Sequence, residues 1–489
     1  MNLTVGGVLE ATGGRLIQGS PDAPLFGVST DSRSVGPREL FIALCGERFD
    51  GHQFVAASLA AGAGAVLVSR WPLGGEDGSA GASPSPAASS SAAVILVGDT
   101  LAAYGALASW WRKHLPARIV AISGSNGKTT TKDMTAHLLE AIGPTVRSEA
   151  NHNNHIGVPE TLLRIRPHHA FAVVEMGTNH PGELERLAAV ATPNVAVITN
   201  VGPSHTEAFG SIRGVAAEKA RILDFRAGPH LAVLHADDPW SRRIAARHKG
   251  PKTTFGLSAD AVWRAEAVWA ESDSIRFILA GRPKPFTVPV CGRHQVPNCL
   301  AAIAVADAMG LSPEQAAERF LTFRPPKWRM DFRRIGDLAL IVDCYNANPA
   351  SMKAAIEDLS RRAVPGRRVA MFGDMLELGR GSAAAHKRLG RLAAEAGFDV
   401  LCVVGQKAAL VGQAALTHGM SADSVYWTED RARAAEWLCA RLLPNDTVLL
   451  KGSRGVKLEE AGEAIEAWAR VHACPRPAFD HGLPASAGG

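Results

Sequence analysis

The chain contains no C-x-x-C pair, no H-E-x-x-H, no block of Lys or Arg, and no apolar run near the ~20 residues that a spanning helix needs. Its seven cysteines, Cys45, Cys291, Cys299, Cys344, Cys402, Cys439 and Cys474, are odd in number and scattered, which excludes a disulfide scaffold and a zinc site of regular spacing. They read as reduced thiols of a cytoplasmic protein. The opening Met1-Asn2-Leu3-Thr4-Val5 lacks the basic-then-apolar order of a secretory leader. Lys and Arg exceed Asp and Glu by only 52 − 47 = 5, spread along the chain, so nothing draws it to nucleic acid or into a membrane. What is present is 46% hydrophobic and 20% charged, the composition of a globular protein. At roughly 150 residues per domain, 489 residues suggest three domains.

The expected class is α/β in three blocks. Residues 1–98 carry short strand-like runs (40–44, 65–68, 94–97), interrupted at 72–93 by a Gly/Ser/Pro/Ala tract expected to be a flexible surface insertion. Residues 99–326 open with a helix-like stretch at 101–115. They continue with apolar strands at 119–122, 170–174, 195–198 and 231–234, the near-continuous runs of a parallel sheet covered on both faces. Pro325-Pro326 marks a break. Residues 327–474 repeat the alternation in a Rossmann-like unit, with strands expected at 338–342, 369–372, 400–404, 425–427 and 448–450, and 475–489 reads as a loose tail.

The sharpest motif is an apolar strand running into Gly124-Ser125-Asn126-Gly127-Lys128-Thr129-Thr130, followed by a helix with Met134, Leu138, Leu139 and Ile142 on one face. Glycines let backbone N–H groups turn inward around phosphate oxygens, and the helix N-terminus adds its positive dipole end. Lys128 is placed to reach the β/γ-phosphates and the Thr129 hydroxyl to ligate Mg²⁺. The usual first glycine of G-x-x-x-x-G-K-[ST] is replaced by Ile122. Neither N-K-x-D of GTPases nor an L-S-G-G-Q-like signature of transport ATPases occurs, so the loop's partners must name the reaction.

Glu175 ends an apolar strand, where open α/β sheets bind ligands; it reads either as a Mg²⁺ carboxylate or as a loop cap. His205 reads as a metal ligand, a base or a plain loop histidine. Lys219, on a helix-like segment, is by default a solvated lysine with a pKa near ~10.4; buried, its neutral amine would capture CO₂ as a carbamate and become an anionic metal ligand.

Taken in order, these motifs resemble the Mur ligases, the ATP-dependent amide-forming enzymes of peptidoglycan synthesis. The resemblance also rests on Asp31-Ser32-Arg33, Phe49-Asp-Gly-His52, Asn151-His-Asn-Asn154, Gly292-Arg-His-Gln-Val-Pro-Asn298, Asp343-Cys-Tyr-Asn-Ala-Asn348, Gly373-Asp-Met and Lys451-Gly-Ser-Arg454, nearly the whole chain. Tyr345-Asn-Ala-Asn348 and Gly373-Asp-Met point to the member that adds D-alanyl-D-alanine, and no D-N-P-[RK] motif of the member adding the third residue occurs.

The resemblance implies that ATP phosphorylates the terminal carboxylate of UDP-N-acetylmuramoyl-tripeptide and that the amine of D-alanyl-D-alanine then attacks the acyl phosphate. It implies that Glu175, His205 and a carbamylated Lys219 serve a Mg²⁺ near the carboxylate, and that Asn298 contacts adenine while Arg329 and Asp343 contact phosphate and ribose. Asp31, Ser32 and Arg33 fall to the UDP-substrate domain, Asn153 and Asn154 are expected to bind substrate, and Tyr345, Asn346 and Asn348 fall to the acceptor side. Closure of the three domains around ATP, in a monomer, is expected. The rivals are another amide ligase, such as a folylpolyglutamate synthetase, and a nucleotide-binding scaffold in which Lys128→Ala would be harmless.

Overall fold

The computed structural model describes residues 3–46, 49–71, 92–204, 206–224, 230–271 and 273–472; His205, Cys474, the tail and nearly all of the insertion lie outside them. Ala92 and Ala93, assigned from sequence to the end of that insertion, are buried, and Ala93 opens a strand.

The first sheet holds β1 (Arg15–Gln18), β2 (Val28–Ser29), β3 (Leu40–Ile42), β4 (Ala65–Val68) and β5 (Ala93–Leu96) in the order β1-β5-β4-β3-β2, parallel except for β1. Helix α1 (Thr100–Lys113) follows, its N-terminus closed by the Asp99 carboxylate accepting from the Leu101 and Ala102 amides. Its buried Leu107 and Trp111 lie in one apolar cluster with Leu40 and Ile95 on one side and Ile119 and Leu162 on the other. The first two layers therefore share a continuous core.

The chain continues through β6 (Arg118–Ser123), α2 (Lys128–Leu139), β7 (Thr145–Arg147), β8 (Phe171–Glu175), β9 (Val195–Ile198), α3 (Ile212–Ala220), β10 (Leu231–His235), β11 (Lys252–Gly256), β12 (Trp263–Ala270), β13 (Ile275–Leu279), β14 (Pro285–Val288) and α4 (Val296–Met309). The strand order is β14-β13-β12-β11-β10-β9-β6-β8-β7, parallel from β12 to β7. The continuous apolar run of β6 has its predicted cause: Ile119 and Ala121 enter one core, Val120 and Ile122 the other, and all four are fully buried. The antiparallel β12–β14 meander was not expected from the sequence, although Ile275 to Leu279 alternates buried and less buried positions. Ile142 is a correction. The helix ends at Leu139, before Gly143-Pro144, and Ile142 sits exposed in the turn beyond it.

The third sheet comprises β15 (Asp331–Ile335), β16 (Leu338–Val342), β17 (Arg368–Gly373), β18 (Val400–Val404), β19 (Val425–Thr428) and β20 (Thr447–Lys451), with α5 (Pro349–Arg361) between β16 and β17. Its order is β15-β16-β20-β17-β18-β19, parallel except for β15, a hairpin partner that the sequence reading missed. In the central sheet β6 lies between β8 and β9: the chain runs from β6 to β7 on one side and, after β8, crosses to β9 on the other. That switch point opens a crevice at the carboxyl ends of three strands, where Gly124, Glu175 and the 199–204 loop emerge.

Candidate active site

The loop after β6 is shaped by two glycines that no other residue replaces. Gly124 has φ +148°, and a Cβ there would lie 1.9 Å from Thr199 Oγ1; Gly127 has φ +80°, and its Cβ would lie 2.4 Å from Asn298 Oδ1. The loop is stapled to the segment after β9. The Ser125 hydroxyl donates to Gly202 O (3.0 Å), and the Asn126 amide donates to Asn200 Oδ1 (2.9 Å). Thr199 Oγ1 donates to Asn126 O at 2.5 Å. The backbone then enters α2, whose first residues, Lys128 to Thr130, line the crevice and whose N-terminus carries no side-chain cap. Half-buried Lys128 donates from Nζ to Gly124 O at 2.9 Å; burial pushes its pKa down, and the nearby Glu175 carboxylate opposes that shift.

Glu175 is 1% exposed. Its amide donates to Ser148 Oγ (3.1 Å), and its Oε1 accepts from Asn153 Nδ2 (2.9 Å), while the buried Oε2 has no hydrogen-bond partner among the described residues. A buried carboxylate oxygen left in that state is costly unless a further group satisfies it. Facing it from α3 is Lys219, 2% exposed and 3.4 Å from Ser123 Oγ. Burial first, then repulsion from Lys128, pushes the Lys219 pKa down to about 7. The default of a solvated helix lysine is thereby overturned. Its neighbour Glu218 points the other way and accepts from the Gly182 and Leu184 amides, fixing the loop beyond Glu175.

The third domain closes the other wall. Arg329 lies between Trp328 and Met330, both in left-handed backbone (φ 62° and 52°), a strained arrangement of the sort retained at functional segments. It donates to Thr129 Oγ1 at 2.9 Å and stacks 3.9 Å above the Tyr345 ring. Asn348, the N-cap of α5, donates to Asn126 Oδ1 at 2.6 Å. Asp343 pairs with the buried Lys451 Nζ at 2.5 Å. The walls enclose a cleft of about 760 Å³.

Three family models cover this architecture in order: the Mur ligase family catalytic domain over residues 25–107, the Mur ligase middle domain over 122–306 and the Mur ligase glutamate ligase domain over 328–454. The UDP-N-acetylmuramoyl-tripeptide–D-alanyl-D-alanine ligase of Escherichia coli K12 is 34% identical over 95% of this chain and 99% of its own length. This chain belongs to the Mur ligase family. The Bacillus subtilis ligase of the same name is 34% identical over 89% of this chain and 92% of its own. A crystal structure of MurF from Acinetobacter baumannii superposes with a TM-score of 0.83 at 31% identity, covering 96% of this chain and 99% of that one. The Thermotoga maritima MurF ligase in complex with ADP gives 0.79 at 26% identity, covering 91% and 98%.

In this Mur ligase the cleft brings together Gly124 to Thr130, Asn153, Asn154, Glu175, Lys219, Asn298, Arg329, Asp343, Tyr345, Asn346 and Asn348. His205 lies outside the described residues. Asp31, Ser32 and Arg33 do not line the cleft. They form a turn after β2 in which Arg33 folds back onto Asp31 (2.7 Å) and pulls its carboxyl down to about 2. Missed from the sequence were Asn200 and Asp238. Asp238 Oδ2 accepts from the Val201 amide, and the only signal for it is an Asp-Pro helix start. Lys451 stood in a quoted motif with no role assigned.

Cys45, Asp50 and His52 also cluster within 4.8 Å of one another. The Ser69 amide donates to His52 Nε2 (2.9 Å), which places the ring proton on Nδ1, facing Asp50 Oδ1 at 2.7 Å. That arrangement is a hydrogen-bonded knot, not a set of free ligands.

Proposed function

We infer that this Mur ligase joins D-alanyl-D-alanine to UDP-N-acetylmuramoyl-tripeptide at the expense of ATP, giving the pentapeptide, ADP and phosphate. The observation carrying the reading is the bond from Arg329 across the cleft to Thr129 of the phosphate loop, which gives one triphosphate site two walls. The relatives bearing that enzyme name supply the substrates. We take 1–98 as the UDP-substrate unit, 99–326 as the ATP unit and 327–474 as the C-terminal ligase unit. Among the described residues no helix is long and apolar enough to cross a membrane, in keeping with the cytoplasmic site of action proposed here.

The tripeptide carboxylate attacks the γ-phosphorus, ADP departs, and an acyl phosphate forms. The dipeptide amine, losing a proton, attacks its carbonyl carbon, and phosphate leaves. Several anions must meet, so most of the work is charge neutralisation and positioning. Lys128 would exchange the Gly124 carbonyl for phosphate oxygens, and Arg329, held by Tyr345, would brace the same group. Asn298, bonded to Thr131 and Gln295 beneath the Gly127 bend, would border the base. The residues fit a hard divalent cation, since the unpartnered Glu175 Oε2 is the oxygen such an ion takes. Glu175, Thr129, His205 and a modified Lys219 would hold it, and it would neutralise charge between the triphosphate and the substrate carboxylate. A neutral Lys219 amine adds to CO₂ with loss of one proton, forming the N–C bond of an anionic carbamate.

The test is phosphate release from ATP with the UDP-muramoyl-tripeptide and alternative acceptors. Release is expected with D-alanyl-D-alanine and not with single amino acids. Equal release with single amino acids would overturn the assignment.

A further inference from the structure

The segment entering α4 belongs to the central domain, yet its first residues are seated on the third. Cys291, 1% exposed, lies in the apolar cluster of Met352, Ala355 and Ile356 on α5. One turn further along α5, Asp358 Oδ1 accepts from the Arg293 amide at 2.9 Å, and Oδ2 pairs with Arg362 at 2.6 Å. Arg362 Nη1 in turn donates to Glu271 O at 3.1 Å, on the turn between β12 and β13. An i,i+4 ion pair is ordinarily exposed and contributes ~0.3–0.5 kcal/mol. This one is 7% and 8% exposed, and burial of such a pair is unfavourable unless its remaining donors and acceptors are satisfied. Here the central domain's main chain supplies an amide to Asp358 Oδ1 and a carbonyl to Arg362 Nη1, and both are available only while the domains are docked. Immediately after Arg293 come His294, Gln295 and Asn298, which line the cleft, with Asn298 against the Gly127 bend.

We propose that Asp358, on the last turn of α5, and Arg362, the residue that caps its C-terminus, are positioning residues, a buried ion pair that latches the third domain onto Glu271 and Arg293 and so holds the nucleotide-side wall of the cleft in register. The proposal goes beyond the ligase reading and rests on it only for the ATP readout below. With the latch broken, a smaller fraction of molecules is docked, and apparent nucleotide affinity falls by that fraction while turnover at saturation is retained.

The experiment compares the full-length protein with Asp358→Asn, Arg362→Met and Arg362→Lys. Expected for the first two are a rise of about tenfold in KM for ATP, kcat within about twofold, and a larger radius of gyration by X-ray scattering without ligand. Arg362→Lys, which keeps the charge but not the reach to Glu271 O, should fall between them and the parent. Unchanged KM and scattering would overturn the latch; so would a fall in kcat at constant KM, the mark of a merely structural loss. If the variants do not fold, hydrogen exchange of the unmodified protein decides. The Arg293 amide should be protected and become more so with ADP, and free exchange in both states overturns the proposal. Failure of ADP to bind the parent at all would instead sink the ligase reading, leaving scattering and exchange without ligand to judge the latch.

Discussion

The central-domain and third-domain walls of the cleft each hold a lysine that is 2% exposed, Lys219 and Lys451, with opposite provisions. Lys451, at the end of β20, has the Asp343 carboxylate at 2.5 Å and the Asp343 and Asn346 carbonyls at 3.4 and 3.2 Å. Lys219, on α3, has a hydroxyl at 3.4 Å and a second lysine nearby, and the Glu218 and Glu175 carboxylates only partly offset burial and that lysine. A buried ammonium with a carboxylate and two carbonyls around it is a strut that ties Asp343 to the third sheet. A buried amine whose hydrogen-bond partner is a hydroxyl, with another cation beside it and carboxylates that do not fully offset its burial, has its proton weakly held and its lone pair available. The difference is one of partners, since residue type and burial are the same, and it assigns structure to one lysine and chemistry to the other.

The contrast breaks most readily at Lys219. Lys219→Met should lower the ligation rate by about 1000-fold or more while leaving the melting temperature unchanged or higher, because it removes a poorly solvated group that folding does not need. Loss of stability with retained turnover would reverse the assignment. The mirror experiment is Lys451→Met, which leaves Asp343 without its cation and should cost about 3–5 kcal/mol in denaturant unfolding. A stability change below about 1 kcal/mol would show that the strut carries nothing.

The smallest effect is a pH dependence. The folded protein holds the Lys219 proton with a pKa of about 7 against an ordinary value of 10.5, so between those values the unfolded chain binds more protons. Stability of the parent relative to Lys219→Met should therefore rise with pH above about 7, by at most about 1.4 kcal/mol per unit, and be flat below it. Unfolding midpoints from pH 6 to 9 in carbonate-free buffer would check the sign. A relative stability that falls as pH rises would overturn the reading of Lys219 as a weakly protonated amine.

The phosphate loop was legible because its chemistry is local. Strand, glycines, Lys128, Thr129 and helix follow within a dozen residues, and Gly127 is required by a bend that the backbone itself makes. The strands of the central and third sheets were legible wherever both faces are covered, since burial on both sides writes an unbroken apolar run. The β12–β14 meander and β15 were missed because one-sided burial leaves only weak alternation. Glu175 was legible as a strand end, but its unpartnered oxygen was not, because that depends on Asn153 taking the other oxygen from 22 positions away.

The sequence by itself determined the order of the three domains, the phosphate loop and the residue types that face it, because these follow from spacing and periodicity along the chain. Only the tertiary structure decided which lysine is a strut and which an amine, that Arg329 reaches Thr129 from 200 positions away, and that Asp358 holds the Arg293 amide. Desolvation and hydrogen-bond partnership are properties of a packed neighbourhood, and distant segments supply that neighbourhood only when the sheets come together.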